Sequence, residues 1–220
     1  MALRILIDSA DAQDWSDLWP LGLFHGITTN PSLLRRAGLP CTLDILFDLA
    51  DRALELGCQE LHLQAWGATP EVLLACAQAL LAHAPEHIVI KLPLTEGGLR
   101  TAAFLAARGV RVTLTACYGC AQVLAAAALG VTYVAPYLGR ISDSGADGRA
   151  EVIRMQRCLD GVGSDTRLLV ASLRSLEDIL DLAPLGVDTY TLSPDLARQI
   201  WTHPLTEQAV AQFEADAFHA

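Results

Sequence analysis

Lysine is almost absent from this chain of 220 residues: Lys91 stands alone beside fourteen arginines. There is no basic run, and the formal charge is −10, which argues against a nucleic-acid surface and leaves any anionic ligand to a few placed donors. No apolar run reaches the roughly 20 residues that a membrane-spanning helix needs, so no membrane partner is expected. The N-terminal residues read straight into a strand, with neither the apolar region nor the cleavage site of a signal peptide, and a cytoplasmic protein is expected. Charged residues make up only 18% against 52% hydrophobic, which points to surface buried in a homo-oligomer. The cysteines Cys41, Cys58, Cys76, Cys117, Cys120 and Cys158 are spread through apparent helices and strands, as reduced packing thiols are. Only Cys117-Tyr118-Gly119-Cys120 has a suggestive spacing, readable as a redox dithiol or as packing at a strand-to-helix junction. No second pair or nearby histidine completes a metal site, so no metal is expected.

What is present is a regular alternation. Strand-length apolar runs fall at about 3–8, 23–28, 60–64, 87–92, 111–115, 131–136, 167–171 and 187–191. Many are continuous rather than alternating, as strands covered on both faces are. Helical patterns lie between them at 42–56, 70–81, 97–107, 121–129, 150–159 and 175–182, and Gly57, Gly109, Gly130 and Gly186 are placed to close helices. Eight such units predict an α/β fold, a single parallel (β/α)₈ TIM barrel spanning 1–220. The rival, a doubly wound open sheet, lacks a G-x-G-x-x-G after its first strand. A further helix at 204–218 carries an apolar stripe of Val210, Phe213, Ala217 and Phe218 that could cover the barrel or grip a neighbouring subunit.

In a barrel of this kind the site is built from the C-terminal strand ends. Here those ends are polar: Asp8, Thr28-Thr29-Asn30, Gln64, Lys91, Thr115, Tyr137 with Arg140, and Ser172. Singly, each has another reading. Asp8 and Asn30 suit helix caps, Thr115 suits a strand, Tyr137 suits a core, and Lys91 could snorkel from a strand end. Jointly they surround the one lysine. An amine desolvated in such a mouth loses its proton readily and can attack a ketone, and the resulting iminium draws electrons from a carbon–carbon bond two atoms away. Asp8 and Tyr137 could then move protons, Gln64 and Thr115 hold a water, Asn30 and Thr28 bind hydroxyls, and Arg140 with Ser172 clasp a phosphate.

The stretches Gly26-Ile27-Thr28-Thr29-Asn30-Pro31-Ser32, Ile90-Lys91-Leu92-Pro93-Leu94-Thr95 with Gly98-Leu99, and Val134-Ala135-Pro136-Tyr137-Leu138-Gly139-Arg140-Ile141 resemble those of the transaldolase family. They are most similar to its short members, the fructose-6-phosphate aldolases and small bacterial transaldolases. The resemblance runs from Asp8 to about Leu196. It implies a class I aldolase using neither metal nor cofactor, with Lys91 forming a Schiff base to a dihydroxyacetone unit. It further implies that Asp8 and Asn30 contact substrate hydroxyls, that Thr115 helps place a catalytic water, and that Arg140 and Ser172 meet the phosphate of a sugar phosphate. Decamers of two pentameric rings, with the C-terminal helix on a neighbour, are implied in the same way. Gln64 and Tyr137 match the aldolase branch, where transaldolases have Glu and Phe. Gly139 is the transaldolase-like choice, and Trp66 is bulkier than expected and is placed to narrow the pocket. The leading expectation is reversible cleavage of fructose 6-phosphate to dihydroxyacetone and glyceraldehyde 3-phosphate. The alternatives are a transaldolase passing dihydroxyacetone between sedoheptulose 7-phosphate and erythrose 4-phosphate partners, a sugar-phosphate-binding barrel without turnover, and a redox protein using Cys117 and Cys120.

Overall fold

The eight strand-length runs close on themselves, with side chains filling the inside and helices covering the outside. The computed structural model describes residues 2–218, so the expected domain limits at 1 and 220 lie outside the described residues. The strands β1 (Arg4–Asp8), β2 (Gly26–Thr28), β3 (Glu60–Gln64), β4 (Ile88–Pro93), β5 (Val112–Cys117), β6 (Tyr133–Pro136), β7 (Arg167–Val170) and β8 (Thr189–Leu192) pair in parallel and in sequence order to form a closed barrel. The helices are α1 (Ala12–Leu18), α2 (Pro31–Arg36), α3 (Leu43–Glu55), α4 (Pro70–His83), α5 (Glu96–Ala106), α6 (Cys120–Leu129), α7 (Leu138–Asp143), α8 (Gly148–Gly161), α9 (Glu177–Leu182), α10 (Pro194–Arg198) and α11 (Pro204–Phe218).

Local chemistry explains most of the boundaries. Asn30, Thr42, Thr69, Thr95, Asp147 and Ser193 each cap a helix through a side-chain oxygen. Gly130 and Gly186 end helical segments in the left-handed conformation, and Gly57 and Gly109 share it. The second and eighth strands are shorter or shifted relative to the runs at 23–28 and 187–191, because His25 and Val187 lie in the turns leading into them. Four helices escape the sequence pattern: α1, α2, α7 and α10 have only seven, six, six and five residues, too few turns to show a period. The apolar stripe of α11 does not cover this barrel, since Leu205, Phe213 and Phe218 are 66%, 69% and 89% exposed.

The barrel interior is layered. Alternation along β1 sends Ile7 to the main core beneath the helices and Leu6 inward, where it meets Val89, Tyr133, Ala135 and Leu169 in a separate small cluster. Below this apolar layer, at the strand starts, buried Glu60 takes hydrogen bonds from Arg111 Nη1 at 2.9 Å and the Tyr133 hydroxyl at 2.6 Å. Its other oxygen contacts include Arg4 and His25, each at 3.5 Å, and His62 at 3.3 Å. Burial alone would raise the Glu60 carboxyl, but the imidazoles of His25 and His62 and the Tyr133 hydroxyl outweigh it and hold it well below the usual carboxylate range. His62, fully buried and bonded to Thr113 Oγ1 at 2.9 Å, is driven down to about 4 by desolvation despite the opposing pull of Glu60.

His62 therefore stays neutral when folded while an unfolded chain, with a histidine pKa of about 6.5, takes up a proton on acidification. Folding stability should fall as the pH drops from about 6.5 toward 4, at up to about 1.4 kcal/mol per pH unit from this one group. Urea unfolding of the wild type and of His62→Gln, compared between pH 6.5 and 5, should give a shallower loss in the variant. Equal slopes would assign the acid sensitivity to other groups.

Candidate active site

At the opposite end of the barrel the strand ends enclose a cavity of about 630 Å³. Asp8, Asn30, Gln64, Lys91, Tyr137, Arg140 and Ser172 all line it, so seven of the nine residues singled out from the sequence meet in one space. The other two act from behind. Thr115 is buried and shares a hydrogen bond with the Tyr137 hydroxyl at 2.9 Å. Thr28, expected to bind substrate hydroxyls, is fully buried instead: its hydroxyl donates to Asp8 Oδ1 at 2.6 Å and sits 2.6 Å from Thr191 Oγ1, fixing the carboxylate from below. Trp66 packs on the core and does not narrow the cavity, which corrects the expectation from its bulk.

Lys91 is 4% exposed. Its Nζ donates to the Thr29 carbonyl at 3.0 Å, and among the described residues no carboxylate forms an ion pair with it. Burial pushes the Lys91 ammonium below its ordinary range, and the charge of Asp8 works in the opposite direction. Gln64 is brought alongside by strand pairing, its Cα the partner of that of Lys91. Tyr137 caps α7 after β6, and burial raises its phenol while the Thr115 hydrogen bond opposes the rise. The phenol thus keeps its proton at physiological pH. Its ring meets Tyr118 edge-on with centroids 5.7 Å apart, and the Arg140 guanidinium lies over it at 5.0 Å.

Arg140 sits on α7 rather than on the sixth strand itself. Gly139 explains how it is aimed: a Cβ there would fall 2.3 Å from Ser172 O and 2.7 Å from Arg174 Nε, so only glycine lets α7 close against the loop after β7. That loop is held by buried Asp178, which accepts from Arg149 Nε at 2.9 Å and from the backbone N–H groups of Arg174 and Ser175 at 3.0 and 3.2 Å. Ala116 and Ser172 adopt left-handed φ values of 59° and 60°, conformations that strain a non-glycine residue, and both line the cavity.

The sequence reading missed Arg36, Arg174, Ser32, Thr191 and Ser193 among the lining residues. Ser32 and Arg36 lie one helical turn apart on α2, and Ser193 follows the eighth strand, so helical spacing and the eighth strand end were the available signals. With them the lining carries Lys91, Arg36, Arg140 and Arg174 against the single carboxylate of Asp8, in a chain whose formal charge is −10. Arg174 is also paired with Asp143 at 2.6 Å, and the remaining lining still carries more positive than negative charge.

A closed barrel with a desolvated lysine in a cationic mouth defines a class of candidate enzymes, and comparison with known proteins narrows it. A sequence model of the Transaldolase/Fructose-6-phosphate aldolase family matches residues 5–220. A probable transaldolase of Caulobacter sp. (strain K31) is 34% identical, covering 97% of this chain and 96% of its own length. Probable transaldolases of Phenylobacterium zucineum (strain HLK1) and Sorangium cellulosum (strain So ce56) are 33% and 32% identical, covering 97% and 98% of this chain and 96% and 97% of their own lengths. The chain belongs to the transaldolase/fructose-6-phosphate aldolase family, among its short members.

Having one lysine, the protein labelled with ¹³C-lysine should give a single ε-carbon resonance. Its midpoint should lie below that of free lysine, and Asp8→Asn should lower it further by removing the charge that favours the ammonium. A midpoint at the free-lysine value would show that the amine is not desolvated in solution.

Proposed function

We propose that the protein is a Schiff-base aldolase that cleaves fructose 6-phosphate reversibly to dihydroxyacetone and glyceraldehyde 3-phosphate, without metal or cofactor. The observation that carries this reading is the meeting of a buried Lys91 amine and a Thr115-bonded Tyr137 phenol in one cation-rich cavity. In this mechanism the neutral amine adds to the C2 ketone and the carbinolamine loses water, with Tyr137 and a water held by Gln64 and Thr115 moving the protons. Asp8 takes the proton of the C4 hydroxyl. The C3–C4 bond then breaks, its electron pair passes to the iminium nitrogen, and the aldehyde departs with its phosphate held by Arg140, Ser172 and Arg174. Asn30 donates from its amide to the hydroxyls of the three-carbon unit, its Oδ1 being occupied as the cap of α2. Tyr137 protonates the enamine carbon, and water releases dihydroxyacetone.

The second reading is transfer of the dihydroxyacetone unit to a second aldose phosphate, and the names of the probable transaldolases favour it. Tyr137 and Gln64 favour the aldolase. A phenol within reach of the enamine quenches it, whereas a site without that donor keeps the enamine until an acceptor arrives. We also infer one cytoplasmic domain across 1–220, with the exposed apolar side chains of α11 seated on a neighbouring subunit of a ring-shaped homo-oligomer.

Purified protein given fructose 6-phosphate alone should release dihydroxyacetone, and borohydride should trap the adduct on Lys91. Strict dependence on erythrose 4-phosphate would select the transferase instead. Lys91→Arg should fold normally and lose turnover by about a thousandfold or more, because guanidinium stays protonated. Substantial residual activity would exclude the amine as nucleophile. Tyr137→Phe should lower release of free dihydroxyacetone by about a hundredfold while sparing transfer, the scale of one lost general acid. An unchanged ratio of cleavage to transfer would remove Tyr137 from that role.

A further inference from the structure

The spacing Cys117-Tyr118-Gly119-Cys120 invites a pairing inside the turn, but the structure sends these two thiols to different neighbours. Cys117 is fully buried and its Sγ turns to the Gly119 carbonyl at 3.8 Å. Cys120, the first residue of α6, places its Sγ 2.8 Å from that of Cys158, thirty-eight residues further on in α8. The two helices are neighbours, and the contact is fixed on both sides of the sulfurs. Cys120 N donates to Glu151 Oε1 at 2.7 Å, and its Sγ lies 3.7 Å from the Arg154 carbonyl. Glu151, Arg154 and Cys158 are spaced three and four residues apart, so one face of α8 receives the start of α6.

We propose that Cys120 and Cys158 form a reversible disulfide site, which staples α6 to α8 when the protein meets a low-molecular-weight disulfide. Cys158 is half-buried and can be reached from solvent, whereas Cys120 is only 7% exposed. Cys158, the sulfur that solvent reaches, is therefore the entering nucleophile, and Cys120, buried beside it and pushed up to about 11 by that burial, is the resolving thiol. The Cys158 thiolate displaces one thiolate from the small disulfide and forms a mixed disulfide. Cys120 Sγ then attacks Cys158 Sγ and expels the second thiolate. The protons of the two protein thiols pass to the two thiolates released, so the protein is oxidised by two electrons and the small disulfide is reduced to two thiols. Cys58 and Cys117 are buried, and burial raises both to about 12; Cys41 is exposed and open to a mixed disulfide, but among the described residues it is the Cys120 and Cys158 sulfurs that touch.

Neither Cys120 nor Cys158 lines the mouth, so the staple acts on the fold. It closes a loop of roughly 40 residues in the unfolded chain, which should raise Tm by roughly 5–10 °C. The full chain is incubated with oxidised glutathione, alkylated, digested and mapped by mass spectrometry, with Tm measured before and after and again after dithiothreitol. The expected result is a peptide pair joined through Cys120 and Cys158, a higher Tm, and reversal of both by the reductant. Cys120→Ala should accumulate glutathione on Cys158 and show no rise. Cys158→Ser, at the less buried position, should remain unmodified at Cys120 and also show none. Glutathione retained on Cys158 of the wild type, a bond joining any other pair of cysteines, or a Cys120–Cys158 bond with an unchanged Tm would overturn the proposal.

Discussion

The burial of one amine organises this molecule. An ammonium taken out of water needs either a paired charge or a release of its proton, and among the described residues the hydrogen-bond partner of Lys91 is the Thr29 carbonyl. Asp8 is near enough to be felt but is held away by Thr28, which itself leans on Thr191. The barrel thus sets a balance. A carboxylate in direct contact would keep the lysine charged and unreactive, whereas one much more distant would be useless for moving protons. Three strands, β1, β2 and β8, supply that spacing, and parallel closure alone brings them together.

The same closure explains the charged plug below. A barrel of eight strands must fill its interior with side chains, and here the apolar filling is thin: Leu6, Val89, Tyr133, Ala135 and Leu169. Glu60 and its ring of donors complete the lower layer, and His62 with Thr113 bridges toward the level of Lys91. Buried ions of this kind add little net stability over a well-packed apolar core, but removing one member leaves the others unpaired. The plug therefore acts most directly on geometry. It fixes the starts of β1, β3, β5 and β6, and so the register that aims their far ends.

Much of this was legible in the residues. Continuous apolar runs marked eight strands because strands covered on both faces have no polar alternation, and their polar last residues named most of the mouth. The closed barrel and the family that the motifs resembled are both found. What escaped depends on closure or on single turns. Glu60 and Tyr133 are 73 residues apart, His62 and Thr113 are 51 apart, and nothing local signals either contact. Arg36 reads as a surface cation until α2 is known to lie against the mouth, and Arg174 until Asp178 is seen to pin its loop. The left-handed backbone at Ala116 and Ser172 has no signature in residue type, since neither is glycine. Thr28 lies at the expected strand end but bonds Asp8 and Thr191 beneath the cavity, because a strand end can point its side chain into the floor as well as into the cavity.

The charge of the mouth is set against that of the whole. At −10 the chain repels a phosphorylated sugar at long range, yet the cavity gathers Arg36, Arg140 and Arg174 around one carboxylate. Screening at physiological salt confines exposed charges to about 8 Å, so the outer acidic surface matters little once an anion reaches the rim. The three arginines are themselves exposed, and Arg174 is paired with Asp143 at 2.6 Å, so they act at short range on an anion that contacts them directly. At Lys91 the shift comes from burial, which the charge of Asp8 opposes. The cationic rim and the buried amine are thus set by separate features of the barrel, exposed arginines in one case and desolvation in the other.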